Sequence, residues 1–377
     1  MTDLNELRKQ IDEIDAALLP LFIKRMDCSR KVAEYKIAKN MPVFDPTREE
    51  QILNDKAEKV ADELKISVRE FYSSIMKISK AMQSGIMGSS NTATLFDMFD
   101  SNPLTSDPTV AYQGIPGANS ETALIKFFGE STKKINVMTF GEVLDEIENG
   151  NADYGVLPFE NSSTGSISGV CDLLEKRNFY IVGEVNVDIE HSLVALPTAE
   201  LRDIRKVYSH EQGYMQCKKF FDNYPKMTFH PYHNTAMAAK MISGLGDVSC
   251  AAVADKRTAQ LYGLQVLADN ISSIGTNITK FVVVAKKGHL DEENNKVSVM
   301  FTLPHQSVAL CKALSIFSDN GLNLLKILSR PSHNGNFEYI FFVDFEGNPL
   351  EKSVRNAISQ LDSFAESLKI LGSYKGV

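Results

Sequence analysis

Leu4, Leu7, Ile11, Ile14, Leu18 and Leu21 recur at alternating spacings of three and four residues. Apolar residues at that period are buried together only along one side of a long α-helix, and so extended a stripe needs other helices laid against it. The next position of the stripe is Arg25, where a cation is costly unless it is paired or faces a ligand cavity. Lys36 lies eleven residues further on, close to three whole turns, so both cations point the same way from one helix. Arg8 precedes Arg25 by seventeen residues, which at the helical rise is roughly 25 Å along the axis. No small ligand bridges that distance. If Arg8 serves the same kind of site, the simplest geometry is an antiparallel dimer in which each helix lends its Arg8 to the other copy's pocket.

The charge balance sharpens the point. The chain has 377 residues, too many for one core, so roughly two to four domains are expected. A net charge of -8 and a pI near 5.5 argue against nucleic acid or an acidic membrane as partner, and any anionic substrate must be met by local cations. A start of MTDLNEL without a basic segment, and no apolar run of membrane-spanning length, make the cytoplasm the expected location. Cys28, Cys171, Cys217, Cys250 and Cys311 are odd in number and scattered, so the expectation is buried or inert thiols and no disulfide framework. His230 and His233 flank Pro231 in HPYH, a poor start for metal ligation, and no metal or cofactor is expected. GLGD at 244 to 247 lacks the third glycine of a nicotinamide site.

After a loop at 40 to 44, Asp45 and Pro46 form an N-cap and first-turn proline, and Arg48, Glu49, Ile52 and Leu53 open a second helix. A third helix is expected from about Val68 to Met87, with Ser79 and Gln83 on one face. LRKQIDEID, the Lys24–Arg25 pair, VAEYK, DPTREE and the Ser79 to Gln83 pair resemble the all-helical chorismate mutase domain across residues 1–87. The resemblance implies that Arg8, Arg25, Lys36 and Arg48 hold the two carboxylates and ether oxygen of chorismate, with Glu49 and Gln83 also near that oxygen and Asp45 and Ser79 completing the contacts. Such chemistry needs no nucleophile or cofactor, only a folded substrate and stabilisation of charge growing on the breaking C–O bond. The competing reading is a plain helical dimerisation arm.

Residues 85 to 108 are rich in Ser, Thr, Asn, Asp and Pro without a sustained period, which reads as a linker, 88–107. The block at 108–287 alternates short strands and helices, as two α/β lobes do. Its most informative stretch is DYGVLPFENSSTGSISGVCDLL, 153 to 174. Tyr154 to Leu157 reads as a buried strand that Pro158 stops, Glu160 to Thr164 as a polar loop, and Val170 to Leu174 as a helix. In α/β proteins a ligand sits at such a place, beyond a strand's carboxyl end and at a helix start. The alternative is that ENSST only caps the helix.

The segment 155 to 174, VYSHEQGYMQC, ADKRTAQLYGLQVL and NITKF resemble prephenate dehydratase across this whole block. That resemblance makes Thr279 the leading candidate for assisting departure of the ring hydroxyl, and puts Glu160, Asn161, Ser209, Gln216, Lys280 and Phe281 at the substrate. The family usually has Thr-Arg-Phe where this chain has Thr279, Lys280 and Phe281. The cation survives, and the flat bidentate guanidinium does not.

The last block, 296–377, reads βαββαβ, a ferredoxin-like order. LPHQSVALCKALSIFSDNGLNLLKILSRP resembles the ACT regulatory domain of dehydratases, which binds phenylalanine between paired domains, and implies effector contacts at Ala309, Leu310, Asn323, Leu324 and Ser329. Val308 and Leu328 replace a glycine and a glutamate common in that family; valine lacks glycine's backbone freedom. The expectation is therefore a homo-oligomeric bifunctional enzyme, chorismate to prephenate to phenylpyruvate, feedback-regulated by phenylalanine. The alternative is a small-acid sensor without turnover, against which the cationic helical pocket speaks.

Overall fold

The computed structural model describes residues 3–39, 41, 46–96, 99–101, 104–273, 275–332 and 339–376. It divides into two compact units, Met1–Asp97 with Phe301–Phe341 and Pro349–Leu368, and Met98–Met300 with Phe342–Asn348 and Lys369–Val377.

In the first unit α1 spans Leu4–Ala38, started by Asp3, whose carboxylate accepts the N–H of Asn5. Helices α2, Pro46–Ala57, and α3, Lys65–Leu95, follow, and α3 packs along both of the others. The expected end near Met87 is thus too early. Extending an existing helix adds a hydrogen bond per residue without a new nucleation cost, which carries α3 through residues of modest propensity. Leu4, Leu7, Ile11, Ile14, Leu18 and Leu21 all remain exposed on the single chain.

In the second unit the chain runs β1 (Thr109–Gln113), α4 (Asn119–Phe128), β2 (Lys133–Val137), α5 (Phe140–Glu148), β3 (Tyr154–Asn161), α6 (Ser168–Lys176) and β4 (Tyr180–Asp188). A second lobe holds β5 (Ser192–Ala195), β6 (Lys206–Ser209), α7 (Glu211–Gln216), β7 (Thr228–Pro231), α8 (Thr235–Leu245), β8 (Cys250–Ala254), α9 (Lys256–Leu261) and β9 (Gln265–Ala268). β10 (Ile278–Ala285) returns to the first lobe, between β3 and β4 and antiparallel to both. The lobes have separate sheets, β4-β10-β3-β1-β2 and β9-β5-β8-β6-β7.

Pro158 does not end its strand, because β3 continues to Asn161. Pro158 faces Phe281 and Glu160 faces Lys280, which leaves Phe159 as an extra, bulged residue. A bulge is one of the few places in a ladder where a missing N–H is tolerated. β2, β7 and β9 had no sequence signal. KKINV carries two lysines and is partly exposed, so it lacks the apolar run that marks a buried strand.

The last block supplies β11 (Lys296–Thr302), α10 (Ala309–Asp319), β12 (Leu324–Pro331), β13 (Tyr339–Glu346), α11 (Lys352–Phe364) and β14 (Ser367–Tyr374), the expected βαββαβ order. β14 joins β4 at Gly372 opposite Ile181. A Cβ on Gly372 would sit 2.1 Å from the Ile181 carbonyl oxygen, so only glycine permits this approach. Val308, which precedes α10, has φ 61°, a conformation strained for a β-branched residue.

Of the five thiols, Cys28 and Cys311 are exposed and three are buried, so the expectation of buried thiols holds for those three. Burial pushes the Cys217 thiol up to about 12. His230 contacts Thr228 Oγ1 through Nε2, 3.1 Å. Among the described residues no helix is long and apolar enough to cross a membrane.

Candidate active site

In the second unit, strand β10 and the β3 bulge set the geometry at the junction of the two lobes. The bulge brings Asn161 opposite Thr279, and Asn161 Nδ2 donates to Thr279 Oγ1 at 2.9 Å and to Asn277 Oδ1 at 2.8 Å. Asn277 Nδ2 donates to Gln216 Oε1 at 3.0 Å, Gln216 Nε2 to Ser163 Oγ at 3.0 Å, and Ser163 Oγ to Asn161 Oδ1 at 2.6 Å. The four side chains close a ring that spans both lobes, and each amide orientation is fixed by its neighbours. His191 Nε2 lies 2.8 Å from Gln216 Oε1. That oxygen only accepts, so Nε2 carries the proton. Burial lowers the His191 pKa against the opposing pull of the Gln216 hydrogen bond, which favours the neutral ring. Thr279 receives the Asn161 hydrogen, so its own hydroxyl proton remains to be given.

Ser209 ends β6 and is 0% exposed, and its Oγ has no hydrogen-bond partner. It does not cap α7. His210 does, accepting the Gln212 N–H through Nδ1. Gly213 has to be small, because a Cβ there would lie 3.0 Å from Ser209 Oγ. Glu160 and Lys280 face each other one residue before Asn161 and one after Thr279, so strand alternation directs Lys280 to the opposite face of the sheet. Phe281 is buried in the core beside Val185 and Tyr112. The structure thus joins Asn161, Gln216 and Thr279, sets Ser209 beside Gly213, and keeps Lys280 and Phe281 off the ring. Ser163, Asn277 and His191 escaped the sequence reading. Asn277 stood inside NITKF, and nothing local set it apart from an ordinary loop asparagine.

In the first unit, an Arg25 guanidinium nitrogen donates to Ser79 Oγ at 2.5 Å, and Ser79 donates to the Ile75 carbonyl oxygen. Gln83 is buried with its Oε1 unpartnered. Glu49 forms an ion pair of 2.8 Å with Lys80, a residue the sequence reading passed over. Lys36 is half-buried, Arg8 and Arg48 are exposed, and Asp45 lies outside the described residues. In the last block Ala309 is buried and Leu324 half-buried, whereas Leu310, Asn323 and Ser329 are exposed.

Residues 7–84 match the chorismate mutase type II family and residues 110–289 the prephenate dehydratase family. The bifunctional chorismate mutase/prephenate dehydratase of Aquifex aeolicus (strain VF5) is 32% identical over 377 residues, 99% of this chain and 98% of its own. The structure of prephenate dehydratase in complex with L-Phe from Arthrobacter aurescens is 29% identical, with a TM-score of 0.66 over 71% of this chain and 90% of its own. A structure described as GqqA, a novel type of quorum quenching acylase, is 27% identical with a TM-score of 0.65, over 71% of this chain and 98% of its own. One fold hosts different chemistries, so the activity follows from the two family matches and the whole-chain relative and not from the fold alone.

The helical block with its part-buried arginine–serine pair and the two-lobed block with its amide ring are, by these matches, an isomerase joined to a lyase. The chain belongs to the bifunctional chorismate mutase/prephenate dehydratase family. It rearranges chorismate to prephenate and converts prephenate to phenylpyruvate, two successive steps towards phenylalanine.

Proposed function

We propose that Thr279 gives the proton that releases the ring hydroxyl of prephenate as water while the C–COO⁻ bond breaks to carbon dioxide and its electron pair enters the ring, the threonine oxygen regaining a proton from water so that one proton is consumed overall. The supporting observation is the closed ring of Asn161, Ser163, Gln216 and Asn277, which turns an amide hydrogen onto Thr279 Oγ1 and leaves the threonine proton to donate. Loss of both groups makes an aromatic ring, so the reaction supplies its own driving force and the enzyme's main task is protonation of the departing oxygen. An ordinary carboxylic acid would be ionised near pH 7, whereas a held hydroxyl is still a donor. Ser209 and Gln216 bind substrate beside it. A buried hydroxyl without a partner costs roughly 1–3 kcal/mol, a cost that a bound substrate oxygen removes. Glu160, Lys280 and Phe281 shape the strands that carry these groups.

For the mutase, Arg8, Arg25, Lys36 and Arg48 hold the substrate's carboxylates and ether oxygen, assisted by Asp45, Glu49, Ser79 and Gln83. The exposed apolar stripe of α1 favours a homodimer in which Arg8 completes the partner's pocket. The last block acts as an ACT-like module for phenylalanine, through Ala309, Leu310, Asn323, Leu324 and Ser329. Its element order and the L-Phe bound to the Arthrobacter relative support this.

The test is Thr279→Val, which keeps the shape and deletes the proton. Phenylpyruvate formation should collapse while prephenate still forms from chorismate, and full dehydratase activity would remove Thr279 from the mechanism.

A further inference from the structure

Behind β10, on the face opposite Thr279, lies a set of charges that the reaction does not use. Lys296 Nζ is 2.8 Å from Glu184 Oε2 and 3.6 Å from Asp344 Oδ2, and their side chains are only 5%, 1% and 7% exposed. Ser298 Oγ donates to Asp344 Oδ1 at 2.6 Å and lies 2.7 Å from the Tyr374 hydroxyl. Burial opposes the charge on Lys296, and Asp344 and Glu184 outweigh it and raise its pKa. One lysine between two carboxylates leaves the cluster a charge short. The residue that balances it is Lys280, 26% exposed, with Nζ 3.8 Å from Glu184 Oε2.

Buried ion pairs of this kind seldom add stability over apolar residues of the same volume, but breaking one by removing a single partner is severe. Lys280 is the chain neighbour of Thr279, at the step where the β3–β10 register shifts. At the bulge the ladder between β3 and β10 is locally interrupted, and a slip of β10 by one residue would turn Thr279 to the wrong face. The Lys280–Glu184 contact ties β10 to β4 along its other edge and so holds β10 against such a slip.

We propose that Lys280 is a positioning residue for the dehydratase reaction, completing the charge of the Glu184–Lys296–Asp344 cluster and so locking the register that presents Thr279 to Asn161. The inference rests on Thr279 as the proton donor. It makes Lys280 a structural anchor that never touches substrate.

The experiment uses the full-length chain and measures kcat and KM for prephenate, with mutase activity followed in the same preparations. Lys280→Met should lower dehydratase kcat by about tenfold or more with KM within about twofold, leave the mutase unchanged, and be restored largely by Lys280→Arg. Lys280→Met combined with Glu184→Gln rebalances the cluster and should recover kcat above that of the single variant. This second variant also keeps the test decisive if Lys280→Met alone folds poorly. Wild-type kcat in Lys280→Met overturns the proposal, as does a raised KM with kcat kept, which would make Lys280 a substrate contact. A double variant no better than the single one also overturns it. Thr279→Val separates the two readings: an active Thr279→Val removes the proton donor, whereas an inactive Thr279→Val beside a fully active Lys280→Met removes only the anchor.

Discussion

The two candidate sites differ in how much of each a single chain completes. At the lobe junction every ring amide has its partners within one polypeptide, from Asn161 to Asn277. In the helical block Arg25 reaches Ser79, but Gln83 keeps an unpartnered buried oxygen and Arg8 is exposed. The difference reflects the chemistry. Protonating one departing oxygen needs a single donor held rigidly, whereas folding a dianion needs cations on several sides, and under the proposed dimer one chain's helix faces supply only some of them. A site made by strands from two lobes is finished by folding; in the proposed homodimer, the helical site would be finished by association.

The sharpest break of that comparison is Thr279→Val. Removing the proposed proton donor should cost the dehydratase about 10²-fold or more, read as phenylpyruvate formation, with the mutase intact. Arg25→Ala should do the converse, lowering mutase kcat/KM by roughly 10²-fold and leaving the dehydratase within a few-fold; equal loss of both would mean misfolding. Asn277→Ala opens the ring without touching Thr279, and a fall of about tenfold in dehydratase kcat is expected. If kcat is unchanged, the ring is not what orients Asn161.

A fourth prediction concerns pH. His191 binds its proton less readily folded than unfolded, where its reference value is 6.5. Its contribution is therefore fully present above about 6.5 and is lost as pH falls from there through the lower folded value. Urea midpoints measured downward through that window should drop in the wild type and less in His191→Gln. The smallest effect belongs to Val308→Gly. Relief of the positive φ should stabilise the protein by about 1 kcal/mol, seen as a raised urea midpoint, and an unchanged midpoint would mean that the valine is not strained.

Much of this was legible one residue at a time. The three-and-four stripe marked α1, Pro46 marked the start of α2, and the strand and helix patterns of the last block matched its βαββαβ order. Val308 was singled out because valine lacks glycine's freedom, and it occupies the conformation that glycine would adopt without strain. What failed were local stop signals. Pro158 read as a terminus and sits in a bulge, and the residues after Met87 read as a linker yet continue α3 to Leu95. Each was overruled by bonds to neighbouring structure that propensity does not count.

The sequence alone determined the helical, α/β and βαββαβ order of the blocks, because periodicity and turn chemistry are properties of nearby residues. Thr279, Asn161, Ser209 and Gln216 came from the family resemblance of their segments, not from any local period or spacing. Only the tertiary structure decided that Ser163 and Asn277 close the ring with two of them, that Phe159 bulges to bring Asn161 to Thr279, and that Lys280 turns away towards Glu184. These are pairings between distant segments, and their geometry depends on strand register and a single extra residue, which no local pattern encodes.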